Sequence, residues 1–319
     1  MKALRLGLLA LMASIMPLAA QGAEKSVAIT QIVAHPALDA CRKGIKDALA
    51  DAGYVAGKNL KWTYESAQGS PTTAAQVAQK FIGEAPDVIV AIATPSAQSV
   101  AANTKTIPLV FSAVTDPVGA KLVSNMEHPG KNITGVTDLS PIGAHMRLIK
   151  RIVPTVKRLG IVYNPGEANS VSLVNLVKSE APKIGMSVVE AAAYKSSDVL
   201  DATRSLVGKV DAIYIPTDNT VVSAFEGVVK VAEEAKIPLF AADTDSVKRG
   251  AIAAAGFNYY DVGRQTGAMV ARILNGEKPG DMAVEGVSKT ELYLNLRAAA
   301  KMGVTVPTDI VKEAKDVIR

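Results

Sequence analysis

The sequence has one cysteine and one tryptophan in 319 residues, and aromatic side chains make up only 4% of it. A single cysteine excludes an internal disulfide framework and a cysteine-based zinc site. Cys41 falls on a helical stripe with Leu38, Ile45 and Leu49, which reads as core. With so few aromatics and no run of basic residues, the surface that grips nucleic acid is missing too. The formal net charge is +5, and Lys2 and Arg5 supply part of it from the amino end.

Long apolar runs are also absent. The run from Leu6 to Met16 is too short to span a bilayer. Preceded by Lys2 and Arg5 and followed by small residues around Ala19 to Ala23, it has the order of a secretory signal peptide, expected over residues 1–23. No cysteine follows closely enough for lipid attachment, so the mature protein is expected to be soluble, exported and periplasmic. What remains is long enough for two lobes, each with its own core.

From Ser26 onward a short apolar run, a polar turn and an amphipathic helix repeat many times. VAITQIV, DVIVAIA and IPLVFSA read as strands, as do RLGIVYN, MSVVEAA, DAIYIP, IPLFAA and AIAAAG. LKWTYE alternates Leu60, Trp62 and Tyr64 on one face. Helices are expected after His35 with a stop at Gly53, over 72–83, after Pro95, over 141–153, with Val171, Val174 and Val177 on one side, after Ser197, up to Ala235, and over 260–275. Continuous apolar strands alternating with helices imply parallel sheets covered on both faces. Two such series predict an α/β chain of two similar, doubly wound lobes, with a short linker near 135–140 that favours a hinge over independent domains.

In open α/β sheets, ligands bind beyond the carboxyl ends of the strands. Those ends carry Gln31 and His35; Thr94, Pro95 and Ser96; Thr115 and Asp116; Asn164 with Ala168, Asn169 and Ser170; Thr217, Asp218 and Asn219; Asp243, Thr244 and Asp245; Asn258, Tyr259 and Tyr260. At any one turn, helix capping is the readier explanation of such residues. Gathered across a hinge they would line one cleft. Free N–H groups at a helix start suit a carboxylate, whereas Asp116, Asp218 or Asp243 suits an ammonium.

Enzyme signatures are missing: there is no nucleophile elbow, Walker A loop, dinucleotide fingerprint or zinc-protease helix. His128 and His145 read as solvated or structural, and His35 as a candidate for the cleft. An exported α/β enzyme using Asp218 and Asp243 stays open as a reading, as does a sensory module presenting its ligand to a receptor.

The ordered set ITQIVAHPALDACRKGI, IATPSAQ, FSAVTDPVGAKLV, GVTDLSP, GIVYNPGEANS, IPTDNTV and GFNYYDVGRQTG resembles the periplasmic substrate-binding proteins of ABC transporters, specifically the tryptophan/tyrosine-type family. The likeness runs over essentially the whole mature chain. It implies a type I periplasmic-binding fold, in which two Rossmann-like lobes with parallel sheets are joined by a three-crossover hinge. Lobe 1 would comprise 24–138 and about 256–284, and lobe 2 would comprise 139–255 and about 285–319. It implies no catalysis, no cofactor and no metal, a ligand held by the turns at 94–96, 115–116, 168–170 and 217–219, and as partner a membrane permease with its ATPase. A monomer is expected.

The favoured ligand is an aromatic amino acid, with Thr94, Ser96 and the N–H groups after Pro95 on its carboxylate and Asp116 or Asp218 on its ammonium. If Tyr163, Tyr259 and Tyr260 do not reach the cleft, a stacking surface is missing and an aliphatic amino acid or small carboxylate fits better.

Overall fold

In the computed structural model, residues 24–287 and 289–319 are described. The first series runs β1 (Lys25–Gln31), α1 (Pro36–Asp51), β2 (Leu60–Ser66), α2 (Pro71–Glu84), β3 (Val88–Ile92), α3 (Thr94–Asn103), β4 (Leu109–Ser112) and β5 (Ile133–Thr137). The second runs α4 (Ile142–Ile152), β6 (Arg158–Tyr163), α5 (Ala168–Glu180), β7 (Ser187–Ala192), α6 (Val199–Arg204), β8 (Ala212–Ile215), α7 (Asn219–Ser223), α8 (Phe225–Ala235), β9 (Leu239–Ala241), α9 (Asp245–Arg249) and β10 (Ala253–Gly256). The remainder is α10 (Tyr259–Leu274), β11 (Glu285–Gly286), β12 (Glu291–Asn295), α11 (Leu296–Lys301), α12 (Thr308–Glu313) and β13 (Asp316–Ile318).

Two sheets result. The six-stranded sheet has the order β11-β5-β4-β3-β1-β2, and the seven-stranded sheet β13-β12-β10-β9-β8-β6-β7. All pairings are parallel except β10 with β12. The chain crosses between the sheets after β5, after β10 and after β11, which makes this the two-lobed α/β architecture with three crossovers. The inner strands are apolar on both faces because helices cover both: β3 is buried at every position.

The local signals act as expected. The His35 ring accepts the Leu38 N–H at the start of α1, and Ser70 accepts the Thr73 N–H at the start of α2, each followed by proline in the first turn. The first sheet carries a separate core on each face, one around Ile29, Ile45 and Val262 under α1 and α10, the other around Phe81, Val100 and Phe111 under α2 and α3. Leu159, Ile213, Tyr214 and Phe240 anchor the core of the second sheet.

Three details differ from expectation. The stretch 133–137, read partly as linker, is β5, pairing with β4; Gly135 is required there because a Cβ would lie 2.2 Å from the Phe111 carbonyl oxygen. Val171 stays 37% exposed, so α5 packs through Val174 and Val177 instead. The helix expected up to Ala235 is two helices, α7 and α8.

His145 is structural. Its Nε2 lies 2.6 Å from the Ala255 carbonyl oxygen, which can only accept, so Nε2 carries the proton and Nδ1 accepts from the Tyr214 hydroxyl at 2.7 Å. This ties α4 to β8 and β10. Burial pushes the imidazole down from 6.5 to about 4. In that window the unfolded chain binds a proton that the folded protein refuses, so His145 draws stability down as pH falls from about 6.5 to about 4. His145→Gln should therefore lose about 1.4 kcal/mol less per pH unit than the parent across this window, read from urea midpoints at successive pH values.

Helix α10 returns to the first lobe and lies directly on α1. A Cβ on Gly263 would sit 1.9 Å from the Cys41 carbonyl oxygen, and one on Gly267 would sit 2.7 Å from that of Ile45. Gly263→Ala should accordingly cost about 1–3 kcal/mol by overpacking, seen as a lower urea midpoint with an unchanged slope.

Candidate functional site

The carboxyl ends of the two sheets line a narrow cavity of about 330 Å³, counted out to its open mouth. The first lobe supplies His35, Ala37, Leu38, Ala113 and Thr115, the crossovers supply Asp138 and Tyr259, and the second lobe supplies Asn169, Thr217, Asp218, Asn219, Val222 and Asp243. A larger groove of about 1170 Å³, lined by Pro95, Gln98, Asn164, Glu167 and Tyr194 among others, adjoins it at Asn219.

The cavity is rich in buried carboxylates. Asp138 accepts from the Tyr259 hydroxyl at 2.6 Å and from the Thr115 hydroxyl at 2.9 Å. Burial pushes its carboxyl up against these two bonds, and pushes the Tyr259 phenol up as well, so Tyr259 stays protonated and donates. Asp218 caps α7 through the Val221 N–H and accepts from the Asn164 N–H at 2.6 Å and the Ser170 hydroxyl at 2.5 Å. Burial first, and then the neighbouring Glu167 carboxylate, raise its pKa. Asp243 is held by the N–H and hydroxyl of Ser246 and is raised by burial. Glu167 accepts from Asn219 and Thr220, through backbone and side chain in each case.

His35 is the opposite case. Burial, and after it the charge of Arg249, lower it to about 3, so the ring that faces the cavity is neutral.

Two kinds of tension converge on these strand ends. Asn169 and Thr217 line the cavity, and Asn169 Oδ1 and Thr217 Oγ1 are buried without a hydrogen-bond partner; Thr94 Oγ1 and Ser96 Oγ, at the start of α3, are buried and unpartnered as well. Such groups cost about 1–3 kcal/mol each when left unsatisfied. The backbone is strained at the same place. Ala93, with φ 74° and ψ 156°, occupies a region that only glycine visits freely, and Ala113 at the end of the neighbouring β4 has φ 53°.

Of the residues singled out in the sequence, His35, Thr115, Asn169, Thr217, Asp218, Asn219, Asp243 and Tyr259 line the cavity. Pro95 and Asn164 line the adjoining groove. Gln31, Thr94, Ser96, Asp116, Ala168 and Ser170 line neither. Gln31 bonds Val33, Asp39 and Arg42, Asp116 bonds Gly119 and Ser172, and Ser170 supports Asp218. Tyr163 and Tyr260 turn away, to Glu190 and Asp47. Sequence reasoning missed Asp138 and the apolar wall of Ala37, Leu38, Ala113 and Val222, and passed over Glu167 although it lies inside the strand-end stretch 164–170. Asp138 directly follows β5, so recognising that strand would have put it among the strand-end residues.

Comparison with known proteins fits this geometry. A family model for ABC transporter substrate binding proteins matches residues 26–318. A tyrosine-binding protein of Clostridioides difficile is 41% identical over 85% of this chain and 79% of its own length. Among solved structures, an ABC domain in complex with L-Trp from Streptococcus pneumonia is 35% identical, covers 93% of this chain and 100% of its own, and superposes with a TM-score of 0.90. A ligand-free, open substrate binding protein with adhesive properties from Clostridium difficile is 40% identical over 92% of this chain and 99% of its own, yet gives only 0.69. The more similar sequence gives the poorer superposition, so the lobes here are arranged more nearly as in the L-Trp complex than as in the open structure. The chain belongs to the ABC transporter substrate binding protein family.

Proposed function

We propose that this protein captures a free aromatic amino acid, tyrosine or tryptophan, outside the cytoplasm and delivers it to an ABC permease driven by its ATPase. Residues 1–23, outside the described residues, act as the cleaved leader; lobe 1 comprises 24–138 and about 256–286, two residues further than the sequence suggested because β11 pairs with β5, lobe 2 the rest, and the protein works as a monomer. Among the described residues no helix is long and apolar enough to cross a membrane.

The observation that carries this reading is the donor-hungry wall of the cavity. Asn169 commits its amide N–H to the Thr217 carbonyl oxygen, leaving Oδ1 free to accept, next to the free Thr217 hydroxyl and the Asp218 carboxylate. An ammonium donates to all three. The carboxylate goes toward the groove, at the start of α3, a helix with no side-chain cap and no acid in its first turn. There free N–H groups and the helix dipole would hold it beside Pro95, and the Thr94 and Ser96 hydroxyls, buried just behind the groove wall and unpartnered, would have to rotate toward it to donate as well. Ala37, Leu38, Ala113 and Val222 offer the apolar wall for the side chain. Micromolar affinity needs about 8 kcal/mol net, within reach of a buried zwitterion plus an apolar side chain. The names of the two relatives, one for tyrosine and one bound to L-Trp, support the same class.

One observation favours a second reading. Among the described residues Tyr259 is the one phenylalanine, tyrosine or tryptophan lining the cavity, its hydroxyl is engaged by Asp138, and the only other ring there is the small His35 imidazole. A wall without a stacking partner also suits a branched aliphatic amino acid.

A thermal-shift screen over the amino acids separates the two readings. L-tyrosine or L-tryptophan at 100 times its dissociation constant should stabilise the protein by about 2.7 kcal/mol, with leucine and valine weaker; the reverse order selects the aliphatic reading, and no response from any amino acid rejects both. Thr217→Val removes a hydroxyl that bonds nothing in the protein, so unliganded stability should hold while calorimetric affinity falls about tenfold. Ser96→Ala should behave alike. Unchanged affinity in either variant would remove that residue from the site.

A further inference from the structure

Asp116 stands at a strand end like the cavity residues but does not line the cavity. We propose that Asp116, with Ser172 and Gly119, forms a latch across the cleft that holds the lobes closed and sets how fast ligand leaves. Asp116 follows β4 in the first lobe, and Ser172 lies on α5 in the second. Asp116 Oδ2 accepts the Ser172 hydroxyl at 3.0 Å, while Oδ1 accepts the Gly119 N–H at 2.8 Å.

Gly119 therefore aims the carboxylate. A Cβ at Gly119 would lie 2.1 Å from Asp116 Oδ2 and 2.7 Å from its Cγ, so any larger residue must displace the carboxylate. Its φ is not in the left-handed region, so alanine adopts this backbone without strain and acts only through that displacement. The latch also sits on the helix that builds the site. The first five residues of α5 put Asn169 into the cavity wall, Ser170 under Asp218 and Ser172 on Asp116. Separating the lobes breaks the third contact, which involves no cavity residue. Its effect should fall on dissociation, because an encounter with the open cleft precedes the bond.

The proposal rests on the amino-acid reading only for the choice of ligand. The test uses the full chain with Ala102→Cys and Ser179→Cys, both exposed and on different lobes, carrying a donor and acceptor dye pair; Cys41 is buried and escapes labelling. Interlobe energy transfer then reports the closed fraction without ligand, and stopped-flow transfer reports association and dissociation of L-tryptophan or L-tyrosine. Ser172→Ala and Gly119→Ala should each lower the ligand-free closed fraction and raise the dissociation rate about tenfold, with association unchanged. The double variant should be no worse than either single variant, since both break one bond.

Equal closed fractions and equal dissociation rates in parent and variants would overturn the latch. So would additive effects, or an effect confined to Gly119→Ala, which would mean that Asp116 acts directly on the ligand. Should no amino acid alter the transfer in the parent, the amino-acid reading fails, while the ligand-free closed fraction still decides the latch. Urea midpoints within error of the parent exclude general unfolding as the cause.

Discussion

Asp138, Glu167, Asp218 and Asp243 are buried at the meeting point of the lobes, and none of them forms a salt bridge among the described residues. Removing a carboxylate from water without a cation is costly unless hydrogen bonds replace its solvation. The fold supplies them where free donors are concentrated, at strand ends and helix starts. Asp218 takes two backbone N–H groups and a hydroxyl, Asp243 takes both donors of Ser246, and Glu167 takes the first N–H groups of α7. These bonds fix where the helices begin, and so where the cavity walls stand.

The same constraint explains why the fold was easier to read than the site. Strand and helix periods put most elements in the right order, and the residue types at the strand ends pointed to the right end of each sheet. β5 escaped because Thr134, Gly135 and Thr137 look like loop residues, although Gly135 is there to let Phe111 approach. For the site, capping and ligand binding call for the same side chains, and sequence does not give their direction. Asp218 both caps α7 and lines the cavity, whereas Asp116, equally placed in the pattern, reaches across to Ser172. Thr94 and Ser96, read as an anion corner, line neither the cavity nor the groove, and their hydroxyls are buried and unpaired.

Satisfied and unsatisfied groups have different consequences at this site. The bonded carboxylates make a rigid, polar frame. The free hydroxyls of Thr94, Ser96 and Thr217, the free oxygen of Asn169 and the strained turns at Ala93 and Ala113 store unfavourable energy in that frame. A ligand that pairs those groups relieves part of it, which links recognition to the arrangement of the lobes. The better superposition on the ligand-bound relative than on the open one fits that link.

The path of the chain bears on the order in which the lobes can form. The first sheet receives β11 at Glu285–Gly286, and the core beneath α1 is closed by α10, a helix that ends at Leu274. As the ribosome releases the chain from its amino end, the first lobe cannot complete its core until most of the second lobe has been synthesised. Contacts this distant in sequence form slowly. Until α10 emerges, a nascent chain with this topology leaves the α1 face of its first sheet without its full cover.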